Sequence, residues 1–331
     1  MNNFEAFIIR KDEQGFRSGV ETLNIEQLPE GDVLVEVRYS GVNYKDGLAN
    51  SPEGRIVCSY PFIPGIDMAG TVVESSHPRF EIGDAVLCTG YGLGVSHFGG
   101  YSRYVRLSGD WLVSIPDGLN FKEAMGIGTA GFTAALSVES LILNGLSPER
   151  GPVLVTGATG GVGSIAINIL AQLGYEVVAS TGKSDLKKDW LHELGASSVV
   201  SREDIIAPTK GILAKERWAA IIDPVGGSNL NGLLKSIQYG GSVALSGLTG
   251  GGDFQSTVYP FILRGVQLLG IDSVYCPMER RQALWSKLGA DWKPVKMLKQ
   301  GITEVSLHEL PNVLETILQG GAVGRTVVKL D

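Results

Sequence analysis

Up to about residue 122 the chain reads as strands. Asp32-Val33-Leu34-Val35-Glu36-Val37-Arg38-Tyr39-Ser40 alternates apolar and polar positions with period two, as a strand with one buried face does. Ala69–Glu74 and Asp84–Leu87 continue the pattern, and Pro64-Gly65 and Gly83-Asp84 punctuate it as turns. From about 123 helical periodicity alternates with short apolar runs. Val153-Leu154-Val155 leads into a helix marked by Ile165, Ile167, Ile169, Leu170 and Leu173, which Gly174 ends as a C-cap; Glu176–Ala179 is the next strand. Ser198-Val199-Val200, Ala219–Asp223, Ser242–Ser246 and Val266–Ile271 extend the series. Strands alternating with helices predict a parallel sheet and hence an α/β protein. The last residues form a helix, Leu310–Leu318, and a strand, Arg325–Leu330. The texture divides the chain into 1–122, 123–293 and 294–331.

The richest junction is Thr156-Gly157-Ala158-Thr159-Gly160-Gly161-Val162-Gly163, between strand and helix. It meets the G-x-G-x-x-G fingerprint in part: Ala158 holds the first position, Gly160 and Gly163 the second and third. Bare N–H groups at a helix start attract anions, the helix dipole adds to the attraction, and glycines let the backbone approach a pyrophosphate. A dinucleotide is the predicted ligand; a glycine-rich turn of some other α/β protein is the plain alternative. An NAD site carries Asp or Glu at the end of the second strand for the ribose 2′-hydroxyl. Here stand Ser180-Thr181-Gly182-Lys183, with no carboxylate before Asp185. Hydroxyls, a free backbone and a lysine suit a 2′-phosphate, so NADP(H) is expected; Lys183 as a solvated loop lysine is the plain alternative, and Arg202 either reaches the same phosphate or faces water.

Composition narrows the class. A chain of 331 residues with 44% hydrophobic residues has room for two cores. The net charge of −7 lacks the basic field of a nucleic-acid binder. No apolar run is expected to reach the ~20 residues of a membrane span. Met1-Asn2-Asn3-Phe4-Glu5 has neither the charged nor the apolar region of a signal peptide. Cys58, Cys88 and Cys276 are too few and too scattered for a zinc lobe or a disulfide framework, so a reducing cytoplasm is expected.

Over essentially its whole length the chain resembles the medium-chain dehydrogenase/reductase family, and within it the acrylyl-CoA reductase and quinone oxidoreductase branch. The resembling segments are Gly41–Asp46, Pro64–Thr71, Gly109–Val113, Gly128–Ala134, Thr156–Gly163, Pro260–Gly265 and Asp272–Val274. The resemblance implies a GroES-like catalytic domain built from both ends of the chain around a central Rossmann domain with a doubly wound sheet, and a homodimer. It implies that Thr159, Gly160, Gly161 and Val162 hold the pyrophosphate. Ser180, Thr181, Gly182, Lys183 and Arg202 then hold the adenosine end, and Leu248, Ile262 and Ser273 line the nicotinamide side. Leu248 as an ordinary core leucine is the competing reading. Near the C-terminus, where the family often has Asn, stand Gln319-Gly320-Gly321.

Zinc enzymes of this family hold their metal with a Cys in Gly-x-Cys-x-x-Asp and a His in Gly-His-Glu. This chain has Asn43 and Ile66 at those places, and amide and aliphatic groups make no catalytic zinc site. His97 is the one histidine in a plausible cleft loop; a satisfied structural histidine is the commoner case. Without a metal, the reduction expected is of a carbon–carbon double bond conjugated to a carbonyl, whose developing charge needs hydrogen-bond donors. In the family the tyrosine corresponding to Tyr44 lies by the nicotinamide. Tyr44 is the candidate acid or orienting donor and Lys45 its expected helper; Tyr44 as a mere cofactor contact is equally open. Asp46 and Asp67 either orient neighbours or cap turns, the second being the commoner case. A short 2-enoyl-CoA such as acrylyl-CoA, a quinone, and nucleotide binding without turnover remain the three functional readings.

Overall fold

The computed structural model describes residues 3–205 and 211–330. The chain groups into two units, Met1–Thr129 with Val274–Ala290 and Gly301–Asp331, and Ala130–Ser273 with Asp291–Gln300.

The first unit opens with a hairpin, β1 (Asn3–Asp12) antiparallel to β2 (Gly15–Asn24). Then come β3 (Val33–Gly41), the short helix α1 (Tyr44–Ala49), β4 (Asp67–Ser75), β5 (Ala85–Thr89), β6 (Tyr104–Leu107) and β7 (Val113–Ser114). The long helix α2 (Phe121–Leu143) carries the chain across into the second unit. It is long and apolar enough to cross a membrane, which corrects the expectation that no run reaches that length. Gly126, Gly128, Gly131 and hydroxyl residues dilute the run in the sequence, and 72% of its most apolar window is buried inside the protein.

The second unit contains β8 (Val153–Val155), α3 (Gly161–Gln172), β9 (Val177–Ser180), α4 (Ser184–Leu194), β10 (Ser198–Val200) and α5 (Arg202–Ile205). It continues with β11 (Trp218–Asp223), α6 (Leu230–Lys235), β12 (Ile237–Leu245), α7 (Tyr259–Arg264) and β13 (Gln267–Gly270). These strands form one parallel sheet in the order β10-β9-β8-β11-β12-β13, the Rossmann order, with its switch point between β8 and β11. Val153, Leu154 and Val155 are fully buried at its centre, each side chain contributing about 1.5–3 kcal/mol by leaving water.

The remainder is interleaved. Helix α8 (Met278–Gly289) belongs to the first unit, because buried Arg281 donates to Thr89 O at 2.6 Å and to Val274 O at 3.0 Å. Helix α9 (Val295–Gln300) belongs to the second, because Met297 N donates to Asn168 Oδ1 at 3.1 Å. Then β14 (Ile302–Val305), α10 (Leu310–Leu318) and β15 (Arg325–Lys329) complete the first unit's sheet, in the order β14-β15-β3-β4-β5-β7 with β6 also on β3. The observed boundaries thus depart from the texture boundaries: residues 123–129 and 274–290 group with the strand-rich unit, and 294–300 with the second unit.

Candidate active site

In the second unit the glycine turn follows β8. Gly157 takes φ 54°, and Gly160 N donates back to Gly157 O at 2.9 Å. At Gly163 an added Cβ would lie 2.5 Å from Gly157 O and 2.8 Å from Ala158 Cα, so only glycine lets α3 start this close to the turn. Helix α3 runs for 12 residues from an N-cap, Gly160, whose lack of a side chain leaves the first amides uncapped. Asp223, buried at the end of β11, accepts from Thr156 Oγ1, from Val225 N at 3.1 Å and from Gly226 N at 3.2 Å. It ties together the two strand ends that flank the switch point.

At the end of β9 the hydroxyls face inward. Ser180 Oγ donates to Ser201 O at 3.3 Å, while Thr181 Oγ1 lies 3.2 Å from Thr159 Oγ1 and accepts from Lys183 N at 3.1 Å. Both residues are buried, so they shape the turn and leave its surface to Gly182, Lys183 and Arg202. A Cβ on Gly182 would stand 2.9 Å from Arg202 Cζ; glycine lets the guanidinium lie against the backbone. Among the described residues Arg202 has no hydrogen-bonded or ion-paired side-chain partner. Burial, and then the charges of Arg202 and Lys187, hold the Lys183 ammonium below its ordinary range. Cations gathered in this way fit a multiply charged anion, and the residues present fit a dinucleotide carrying a 2′-phosphate.

In the first unit, Tyr44 and Lys45 open α1, and both are partly buried. Consecutive helical residues point in different directions, and no hydrogen bond joins these two among the described residues. A buried network adjoins them in the sequence, built on Asn43 and Asp46. Asn43, the N-cap, donates its backbone N–H to Asp46 Oδ2 at 2.8 Å. Asp46 also accepts from Ile66 N at 2.9 Å and bonds the Tyr101 hydroxyl. It is fully buried; desolvation, and then the neighbouring Asp67, push its carboxyl up to about 7. Asp67 accepts from Asn43 Nδ2 at 2.8 Å, from Thr129 N at 2.9 Å and from Thr129 Oγ1. Arg325, 3% exposed, lies 3.6 Å from Asp67 Oδ2 and donates to Val42 O at 2.7 Å and Asn43 Oδ1 at 3.2 Å. At the position of the family's ligand cysteine, both ends of the Asn43 amide are thus engaged by an internal ion pair. Asp46 caps the start of α1 as the sequence reading allowed, and Asp46 and Asp67, the latter holding Asn43, are together the buried centre of this network. Arg325 and Tyr101 carry no local motif and are visible only in the fold; Thr129 and Asp223 lie in segments the sequence singles out, but their roles there are visible only in the fold.

The other expected residues are more dispersed. Leu248 follows the carboxyl end of β12 and is 57% exposed, so it is no core leucine. Ile262, on α7, is exposed and Ser273 partly buried. His97 Nε2 lies 2.7 Å from Arg106 O and its ring meets Trp111 edge-on, a structural histidine. Gln319 spends its amide on Glu315 Oε1 at 3.0 Å, within its own helix end.

Comparison with known proteins agrees with this architecture. Residues 29–117 match the alcohol dehydrogenase GroES-like domain and residues 161–291 the zinc-binding dehydrogenase family. The chain is 57% identical to "Putative quinone oxidoreductase YhfP" of Bacillus subtilis, over 99% of both chains. It is 47% identical to acrylyl-CoA reductase AcuI of Ruegeria pomeroyi, also over 99% of both. The crystal structure of B. subtilis yhfP with NAD bound superposes with a TM-score of 0.96, at 56% identity over 100% of both chains. The yhdH oxidoreductase of Salmonella enterica in complex with NADP gives 0.95, at 44% identity over 99% of this chain and 100% of that one. With a GroES-like unit, a Rossmann unit and these relatives along its full length, the chain belongs to the medium-chain dehydrogenase/reductase family of oxidoreductases.

Proposed function

We propose that the protein is an NADPH-dependent reductase of activated carbon–carbon double bonds, acting without a metal, with a short 2-enoyl-CoA such as acrylyl-CoA as substrate. The observation that carries this reading is the bonding of Asn43: the place of a metal ligand is filled by an amide held at both ends by Asp67 and Arg325. Full-length likeness to an acrylyl-CoA reductase supports the substrate class.

When bound, the reduced nicotinamide supplies a hydride. The amides of Thr159–Val162 bind the pyrophosphate, with the α3 dipole favouring its charge. Gly182, Lys183 and Arg202 bind the 2′-phosphate, and Ser180 and Thr181 hold that turn in shape. Leu248, Ile262 and Ser273 shield the nicotinamide side from water. Tyr44, held at the start of α1, donates a hydrogen bond where negative charge gathers on the substrate, with Lys45 adding a positive field. The test is direct: mixing purified protein with NADPH and acrylyl-CoA should consume NADPH and one solvent proton per turnover, hydride adding at the β-carbon and the proton at the α-carbon, and yield the saturated thioester. Absence of turnover sinks the reading. A second reading, NADPH:quinone oxidoreductase, draws on the likeness to a relative named for quinone oxidoreduction; the ratio of kcat/KM for acrylyl-CoA and 1,4-benzoquinone separates the two.

The same reading makes the protein a cytoplasmic homodimer. Its cysteines are free thiols, Cys58 exposed and Cys88 and Cys276 buried, as a reducing compartment keeps them. Strand β13 ends the parallel sheet, and an uncovered edge strand invites pairing. Val258, the N-cap of neighbouring α7, and Leu263, in its last turn, are 62% and 53% exposed.

A further inference from the structure

Helix α2 is broken at Gly128, which takes φ 52° and ψ −159°. A break leaves carbonyls before it and amides after it without partners within the helix. Here one buried ion pair supplies both. Arg325 donates to Gly126 O at 3.0 Å and Met125 O at 3.5 Å, capping the half that ends. Asp67 accepts from Thr129 N at 2.9 Å, capping the half that begins. Each charge has the sign that the adjoining half-helix dipole favours. The same two side chains clasp Asn43, Asp67 through Nδ2 and Arg325 through Oδ1, and Arg325 also holds Val42 O. Asn43 is the N-cap from which α1 starts at Tyr44.

The surroundings are shaped around this pair. An added Cβ on Gly41 would stand 2.7 Å from Asp67 Oδ2 and 2.9 Å from Arg325 Nη2, and Gly128 faces the same carboxylate. A buried ion pair is a weak source of stability, since apolar side chains of like volume often serve as well. Its geometry is what sets it apart: two charged forks reach three separate backbone segments at once.

We propose that Arg325 and Asp67 are positioning residues for the reduction, one buried pair fixing together the break in α2 and the start of α1, and through Asn43 the place of Tyr44. The kinetic consequence rests on the reading of Tyr44 given above; the mechanical coupling does not. The test compares the wild-type full chain with Arg325→Lys and with the charge-balanced double variant Arg325→Met/Asp67→Asn. Hydrogen exchange by mass spectrometry follows peptides covering 41–49 and 124–132, fluorescence titration gives NADPH affinity, and steady-state assays use NADPH with acrylyl-CoA.

In the double variant, exchange should rise about tenfold or more in both segments together while the Rossmann unit keeps its protection. NADPH affinity should stay within about threefold, and kcat should fall about tenfold or more with KM for NADPH little changed, as displacement of a positioned group produces. Arg325→Lys should recover part of kcat. Unchanged exchange at 41–49, or exchange that rises throughout the protein, overturns the proposal, as does a kcat within about twofold of wild type. If the wild type reduces neither acrylyl-CoA nor a quinone, the functional reading falls alone, and the exchange of the two peptides still decides the coupling.

Discussion

On the proposed reading, single residues select the cofactor. Lys183 and Arg202 gather positive charge at the end of β9, where a carboxylate would repel a 2′-phosphate. Lys183→Glu should weaken NADPH binding by about ten- to a hundredfold, the worth of a charge-assisted contact, and NADH binding far less. Titration with both dinucleotides checks this, and equal losses would refute the assignment. Asp46 gives a second prediction. Its folded value of about 7 lies above that of an unfolded aspartate, so the folded state holds a proton that the unfolded chain has released. The stability this contributes is fully present below the unfolded value, about 4, and is lost as pH rises through about 7. The thermal midpoint of the wild type should fall between pH 5 and 8, and Asp46→Asn should flatten that fall; a parallel slope in the variant would exclude Asp46 as its source. Lys183 could be singled out in the sequence because it stands beside the end of β9. Arg325 could not, since its partners Gly126 and Val42 lie 199 and 283 positions away.

At the scale of elements, glycine marks where the backbone must turn or let something close. Gly128 sits at a φ and ψ that side chains avoid, and its missing Cβ leaves room for Asp67. Gly128→Ala should therefore cost at least about 1–3 kcal/mol and lower the unfolding temperature by several degrees, read by calorimetry. An unchanged midpoint would show that the break relaxes freely. The apolar runs of the parallel strands were legible because a strand buried on both faces needs no partner to betray itself. The hairpin of β1 and β2 was not: Phe4, Ala6, Phe7, Ile8 and Ile9 are buried without strict alternation, and β2 is largely half-exposed. Helix α8 escaped for a related reason, as its buried face includes a charged residue, Arg281.

The molecule as a whole is two cores threaded by one chain, and the exposed apolar pair Val258 and Leu263 lies in the second unit. Val258→Asp with Leu263→Asp should convert a dimer into monomers by sedimentation velocity while leaving NADPH affinity near wild type; a monomeric wild type, or an unaltered dimer, would remove the proposed contact. The amino-acid sequence by itself determined the α/β class, the strand–glycine–helix turn, the cation-rich end of β9 and the replacement of metal ligands by Asn43 and Ile66. Each of these is written in neighbouring residues, because hydrophobic period, turn geometry and helix-terminus electrostatics act over a few positions. Only the tertiary structure decided what fills the place behind Tyr44. The Asp67–Arg325 pair joins segments from the start, middle and end of the chain, and burial in a common core is what makes their charges and carbonyls depend on one another.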